Sequence, residues 1–176
     1  MIKIKTPISD EVIKSLKAGD EILLSGIIYT ARDAAHKRMF EADTPPFSYD
    51  GNIVFYAGPC PTPPGKPIGS IGPTTAGRMD FYSPKLIEQG LKIMLAKGDR
   101  SKAVYDAIAL HGGLYLVALG GVAALMAKCV VFGEVVAYND LGTEAIRRLE
   151  VVDMPLIAAI DSMGRSVYGT STCKAF

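Results

Sequence analysis

The sequence predicts a layered α/β domain with strands in a mixed or two-sheet arrangement. Two observations carry this. Through the middle of the chain, apolar runs of strand length alternate with capped segments of helix length. Near the end, residues 156–160 and 165–168 flank Asp161-Ser162-Met163-Gly164, which reads as an antiparallel hairpin. A third observation sets the scale: 49% of the 176 residues are apolar, enough for a real core, and the length fits one compact domain over residues 1–176.

Residues 1–5 alternate like a first strand. Ser9 or Asp10 caps a short helix in which Val12, Ile13 and Leu16 recur at helical spacing, and Ala18-Gly19-Asp20 stops it. Residues 21–30 form a strand rich in Ile and Leu, and residues 31–41 a helix that ends before Pro45-Pro46. Residues 52–57 are a buried strand. Residues 58–72 hold five prolines, a composition that forms neither helix nor central strand, and so long a loop in a compact domain is usually functional or an interface. Residues 74–90 contain helix with a break before Pro84, a good first-turn residue. Strands occupy 92–96, 114–118 and 130–137, with helices from Ser101 to residue 110 and over 122–128. The pattern of residues 144–152 favours neither state.

Composition excludes several classes. A formal net charge of +1 argues for no nucleic-acid groove and no basic membrane patch. The apolar stretch 114–136 is broken by Gly120, Gly121, Lys128 and Gly133, so it does not read as a membrane span. No signal peptide is expected, and the inferred compartment is the cytoplasm. Cys60, Cys129 and Cys173 are odd in number and far apart, which fits neither a disulfide framework nor a close iron–sulfur cluster motif. Cys129 reads as a small core residue at the start of a buried strand. No metal site is expected from this chain alone.

Three segments look wrong for pure packing. In Gly26-Ile27-Ile28-Tyr29-Thr30-Ala31-Arg32-Asp33-Ala34-Ala35-His36-Lys37-Arg38 an apolar strand delivers polar groups to a strand–helix junction, where α/β folds bind ligands. Arg32 there can fork onto a carboxylate. The plainer reading has Thr30 capping the helix and Asp33 complementing its dipole, with His36 structural. In Gly69-Ser70-Ile71-Gly72-Pro73-Thr74-Thr75-Ala76-Gly77-Arg78-Met79-Asp80, hydroxyls and free amides at a helix start make an anion site, and Arg78 adds a positive fork. A glycine-rich turn with a threonine cap explains only part of that run, which fits neither a Walker loop nor a dinucleotide fingerprint. Lys97, beside Gly98 at a strand end, reaches toward the same cleft. Gly112-Gly113 and Gly120-Gly121 read as close-packing positions. Together Arg32, Arg78 and Lys97 with Thr74 and Thr75 suit a small substrate with two carboxylates, but no strong general base stands with them.

These runs resemble a known family. GIIYTARDAAHKR (26–38), IGPTTAGRMD (71–80) and Lys97-Gly98 are similar to the β subunit of class I, iron–sulfur fumarate hydratases and to the C-terminal domain of the single-chain forms. The iron–sulfur L-tartrate dehydratase β subunit shares them. The likeness extends through GGLYLVALGGVAAL (112–125) and EAIRRLEVVDMPLIAAID (144–161). It implies a swivelling β/β/α three-layer domain with mixed sheets. It also implies a partner α subunit carrying a [4Fe-4S] cluster, in a hetero-oligomer that interconverts fumarate and L-malate. By that resemblance Arg32 and Arg78 hold substrate carboxylates, Thr74 takes part in proton transfer, and Lys97 aids binding or tunes Thr74; Thr75 is a substrate-binding candidate from its hydroxyl in the same run. The alternatives are a tartrate dehydratase β subunit and, in another class, a non-catalytic anion-binding partner domain.

Overall fold

The structure is a computed structural model and describes residues 1–118 and 123–169. Seven strands form one mixed sheet: β1 (Ile2–Lys5), β2 (Glu21–Thr30), β3 (Ile53–Phe55), β4 (Ile93–Ala96), β5 (Leu114–Ala118), β6 (Val130–Ala137) and β7 (Ile146–Ile160). Their order is β1-β2-β3-β4-β5-β7-β6. The first five run parallel, each to its neighbour. β7 runs antiparallel to β5, β6 and also β2. That extra pairing returns the sheet on itself, so β2, β3, β4, β5 and β7 form a ring of hydrogen-bonded neighbours. Helices α2 (Asp33–Glu41), α3 (Ser83–Glu88) and α4 (Lys102–His111) coat its outside, giving β, β and α layers.

Alternation along each strand divides the core in two. Ile22, Leu24 and Ile28 of β2, Ile53 and Phe55 of β3, Leu95 of β4, Leu116 of β5 and Leu156 of β7 point inward. Helices α1 (Asp10–Ser15) and α5 (Ala123–Cys129) close this inner core through Ile13 and Met126, and the proline loop adds Ile68 and Ile71. The intervening residues Val54, Met94, Tyr115 and Ala159 face outward, against Met39 of α2, Leu86 of α3 and Val104 of α4. Strands such as β3 and β4 therefore lack a polar face, as parallel strands covered on both sides must.

The structure revises several expectations. Residues 144–152 and 156–160 contribute to one fifteen-residue strand, β7, which begins at Ile146. The indecisive pattern has a cause: the first half of β7 lies between β2 and β6 and the second between β2 and β5, so its burial rhythm changes partway. A bulge marks the change, where Ser25 of β2 faces both Val152 and Asp153; Asp153 takes φ 46° and donates its N–H to Ser25 Oγ at 3.0 Å. The turn at 161–164 forms, but its second arm is a single bridge, Ile160 to Ser166. Cys129 ends α5, half-buried, rather than starting a strand. Gly113 lies against Lys92, whose carbonyl a Cβ would meet at 2.9 Å, a close-packing role. Gly120-Gly121, Val122 and Cys173 lie outside the described residues.

Candidate functional site

Parallel strands end together, and the residues just beyond each strand are brought to one place. Arg32 and Asp33 come after β2, Tyr56 to Gly58 after β3, and Lys97 and Gly98 after β4. The segment after the proline loop is stitched between the last two. Thr74 N–H donates to the Tyr56 carbonyl at 2.7 Å, Lys97 N–H to the Thr74 carbonyl at 3.1 Å, and Ala76 N–H to the Lys97 carbonyl at 2.9 Å. Thr75 and Lys97 thus pair in parallel register, both exposed. Because β7 is antiparallel, its beginning lies at this same end and brings Glu144 with it.

The arginines meet at one carboxylate. Arg32 Nε lies 4.0 Å from Asp33 Oδ2 and 3.5 Å from Glu144 Oε1. Arg78 Nη2 lies 3.5 Å from the same Asp33 oxygen. These are ion-pair separations without hydrogen-bond geometry, and the buried Arg32 Nε makes no hydrogen bond. Arg78, on the short 3₁₀ turn Ala76–Met79, keeps 47% of its side chain exposed, and Arg32 28%. Under Arg32 sits Gly58, where a Cβ would meet Arg32 Cδ at 3.0 Å and the Thr143 carbonyl oxygen at 2.8 Å. Glu144 is fixed by a turn over residues 139–144. Arg38 forks onto Asp140 there at 2.8 and 2.6 Å, and Arg147 gathers the carbonyls of Gly142, Thr143 and Ala145.

Thr74 Oγ1 donates to the Tyr56 carbonyl at 2.8 Å, which fixes the hydroxyl and leaves its lone pairs for another donor. Gly77 faces open space, with nothing within 4 Å of an added Cβ. Other sequence expectations change. The amides of Thr74 and Ala76 are not free, because this run continues as a strand-like bridge and not directly as helix. Gly69 serves the loop itself, since a Cβ there would strike the Cys60 carbonyl. Thr30 does not cap α2: its Oγ1 accepts from Arg147 N–H at 3.0 Å and donates to the Ala145 carbonyl at 3.4 Å, tying β2 to β7. His36 is structural. It is fully buried, its Nδ1 donates to the Arg32 carbonyl at 3.0 Å, and its ring stands edge-on to Tyr56 at 4.6 Å. Burial pushes its pKa down to about 4, with the Arg32 carbonyl partly opposing and Arg100 assisting.

Sequence reasoning missed three residues. Asp33 reads as a helix-dipole residue and does sit in the first turn of α2, yet it also bridges the arginines. Glu144 precedes a strand whose pattern favours neither state. Arg100 follows Asp99 like a surface charge, yet its side chain is 0% exposed. No local signal marks these roles, which depend on contacts across the fold.

Among the described residues the donors do not fit an iron–sulfur cluster. Cys60 is exposed in the proline loop, Cys129 is half-buried in α5, and both thiols are free. Among the described residues no group of three His, Cys, Asp or Glu side chains is placed to hold a metal ion.

Fold and site together define a mixed α/β domain with a cationic, threonine-bearing cluster at the carboxyl ends of its parallel strands. Residues 1–171 match the model of the family described as Fumarase C-terminus, and the chain belongs to that family. It is 45% identical over 152 residues to the anaerobic class I fumarate hydratase of Escherichia coli strain K12, an alignment covering 82% of this chain and 28% of that protein. It is 41% identical over 176 residues to fumarate hydratase 2 of Leishmania major, covering 95% of this chain and 31% of that protein. It is 38% identical over 178 residues to a putative L(+)-tartrate dehydratase subunit beta of Methanocaldococcus jannaschii, covering 93% of this chain and 89% of that protein. The chain thus spans under a third of these two fumarate hydratases and nearly all of the tartrate dehydratase subunit. Among the described residues no helix is long and apolar enough to cross a membrane.

Proposed function

We propose that this chain is the β subunit of a class I fumarate hydratase, a hydro-lyase that interconverts fumarate and L-malate. The reading rests on one observation: Arg32 and Arg78 approach the same carboxylate oxygen of Asp33, beside Thr74, Thr75 and Lys97. Asp33 stands where an anion would. A dicarboxylate engages the two guanidinium forks, each bidentate and directional. Lys97 and Thr75 face the ligand from the adjoining strand end. Thr74 stands at the carbon that gains or loses a proton; a plain threonine hydroxyl is a poor base near neutral pH, so the surrounding cations must stabilise its transient charge. Lewis-acid chemistry on the hydroxyl being gained or lost is assigned to a [4Fe-4S] cluster on the partner α subunit, not to this chain. The chain acts as one domain within a cytoplasmic hetero-oligomer, where thiols such as Cys60 and Cys129 stay reduced.

The test is turnover under anaerobic conditions with a cluster-bearing α subunit. The complex is expected to hydrate fumarate and the lone chain to be inactive; a complex active on no diacid, or a fully active lone chain, overturns the reading. A second reading, L-tartrate dehydratase β subunit, is favoured by the near full-length match to such a subunit. Parallel assays on fumarate and L-tartrate decide between them.

A further inference from the structure

We propose that Arg100 is a positioning residue for the candidate site: one buried guanidinium aligns the segments that carry Thr74, Arg78 and Lys97. The inference rests on the functional reading above and deepens it.

Arg100 is almost completely buried, and its hydrogen bonds and ring contacts together lead to each of those segments. Its Nε donates to Asp80 Oδ1 at 2.7 Å, and Asp80 is the residue that closes the 3₁₀ turn bearing Arg78. Asp80 Oδ2 in turn accepts from Ser101 N–H at 2.5 Å, which fixes the chain just beyond Arg100. Nη2 donates to Ser83 Oγ at 2.7 Å and to the Tyr56 hydroxyl at 3.4 Å; Ser83 Oγ itself donates to the Met79 carbonyl at 2.9 Å. The guanidinium lies against the rings of Tyr56 and Tyr115, 5.4 and 5.0 Å from their centroids. Both tyrosines reach the site through their other ends. The Tyr56 carbonyl holds Thr74 by its amide and its hydroxyl. The Tyr115 hydroxyl donates to the Gly98 carbonyl at 2.8 Å, beside Lys97, where Gly98 turns the chain at φ 84°.

A buried charge in an apolar layer is retained only where its hydrogen bonds are met, and a planar fork meets several in fixed directions at once. Lysine offers no such fork. Arg32, at the start of α2, meets this network only through its backbone carbonyl, which His36 binds, and its side chain makes no hydrogen bond to Arg100 or its partners.

The experiment compares the full chain with Arg100→Lys and with the milder Tyr115→Phe, alone and in the assembled enzyme. Amide hydrogen exchange is read for Thr74, Ala76, Lys97 and Ser101 against the β1–β2 ladder. In Arg100→Lys those four amides are expected to exchange at least about tenfold faster while the ladder changes less than about twofold, as opening confined to one cooperative unit predicts. Tyr115→Phe, an isosteric change that keeps the fold if Arg100→Lys does not, should release Lys97 and Ala76 selectively. In the assembled enzyme kcat should fall about 100-fold in Arg100→Lys, the scale of a small misplacement, with KM rising less than about tenfold because Arg32 still grips. Exchange that is unchanged, or accelerated equally everywhere, overturns the proposal, as does an unchanged kcat per folded site. Inactive wild-type complex would count against the functional reading only, since the exchange data decide the positioning role on their own.

Discussion

Arg78 is half exposed, and its only ion-pair partner among the described residues, Asp33, lies at 3.5 Å without hydrogen-bond geometry. Such a contact contributes about 0–1 kcal/mol to stability. Arg78→Ala should therefore leave thermal unfolding almost unchanged. If Arg78 grips a substrate carboxylate, the same change should cost about 2–4 kcal/mol in transition-state binding, read as kcat/KM of the complex. Unchanged kcat/KM removes Arg78 from the site. Gly58 makes the opposite case. Its φ is ordinary, so the constraint is space: a methyl group would press on Arg32 and on the Thr143 backbone. Gly58→Ala should cost about 1–3 kcal/mol by overpacking and also raise KM, because Arg32 must move. A variant with wild-type stability and KM would show that Gly58 does not shape the Arg32 seat.

β7 depends on a single carboxylate at its end. Asp161 is fully buried, and Oδ1 accepts from the amides of Met163 at 3.0 Å and Arg165 at 3.1 Å. Oδ2 accepts from Arg165 Nε at 2.8 Å and Ala18 N–H at 3.2 Å, which ties the strand end to the turn before β2. Asp161→Ala removes one buried acceptor and four part-buried hydrogen bonds together, at about 1–3 kcal/mol for the group. A lowered midpoint in urea unfolding, with an unchanged slope, is the expected result. A midpoint unmoved within error would mean that water replaces the carboxylate. Ring closure between β2 and β7 gives this anchor its leverage, since the two strands pair from Glu21 to Tyr29.

The whole molecule carries a pH dependence through His36. Its folded pKa of about 4 lies below the ordinary value of 6.5, because burial disfavours the imidazolium. Between those values the unfolded chain binds more protons, so stability rises with pH. The neutral ring's contribution is fully present above about pH 6.5 and is lost as pH falls toward 4. From pH 7 to pH 5 the loss should be about 2 kcal/mol. His36→Asn should flatten that part of the curve. Equal slopes in variant and wild type would show that His36 does not titrate in this way. The layered architecture is the source of the effect: His36 sits where α2 meets the outward face of the sheet, fully buried against Tyr56.

The sequence by itself determined the elements made by local chemistry. Ser9 caps α1 as its position suggests, accepting from Val12 N–H at 3.4 Å, and Pro84 opens α3. β2 runs over residues 21–30, where the apolar run begins and ends. Arg32, Thr74, Thr75, Arg78 and Lys97 stood out as candidates because glycines, hydroxyls and cations crowd the ends of apolar strands, and the structure gathers them beyond β2, β3 and β4. Tertiary structure alone decided the rest. Whether residues 144–152 form a strand depended on which neighbours β7 found on each edge. Asp33 became a bridge only when Arg78 arrived from 45 residues away, and Glu144 joined because β7 is antiparallel to β2. Arg100 looked like one more surface cation until folding wrapped it in Tyr56, Asp80, Ser83 and Tyr115. Local sequence fixes backbone preferences over a few residues, whereas the partners of a charge are set by long-range pairing, which no short window of sequence contains.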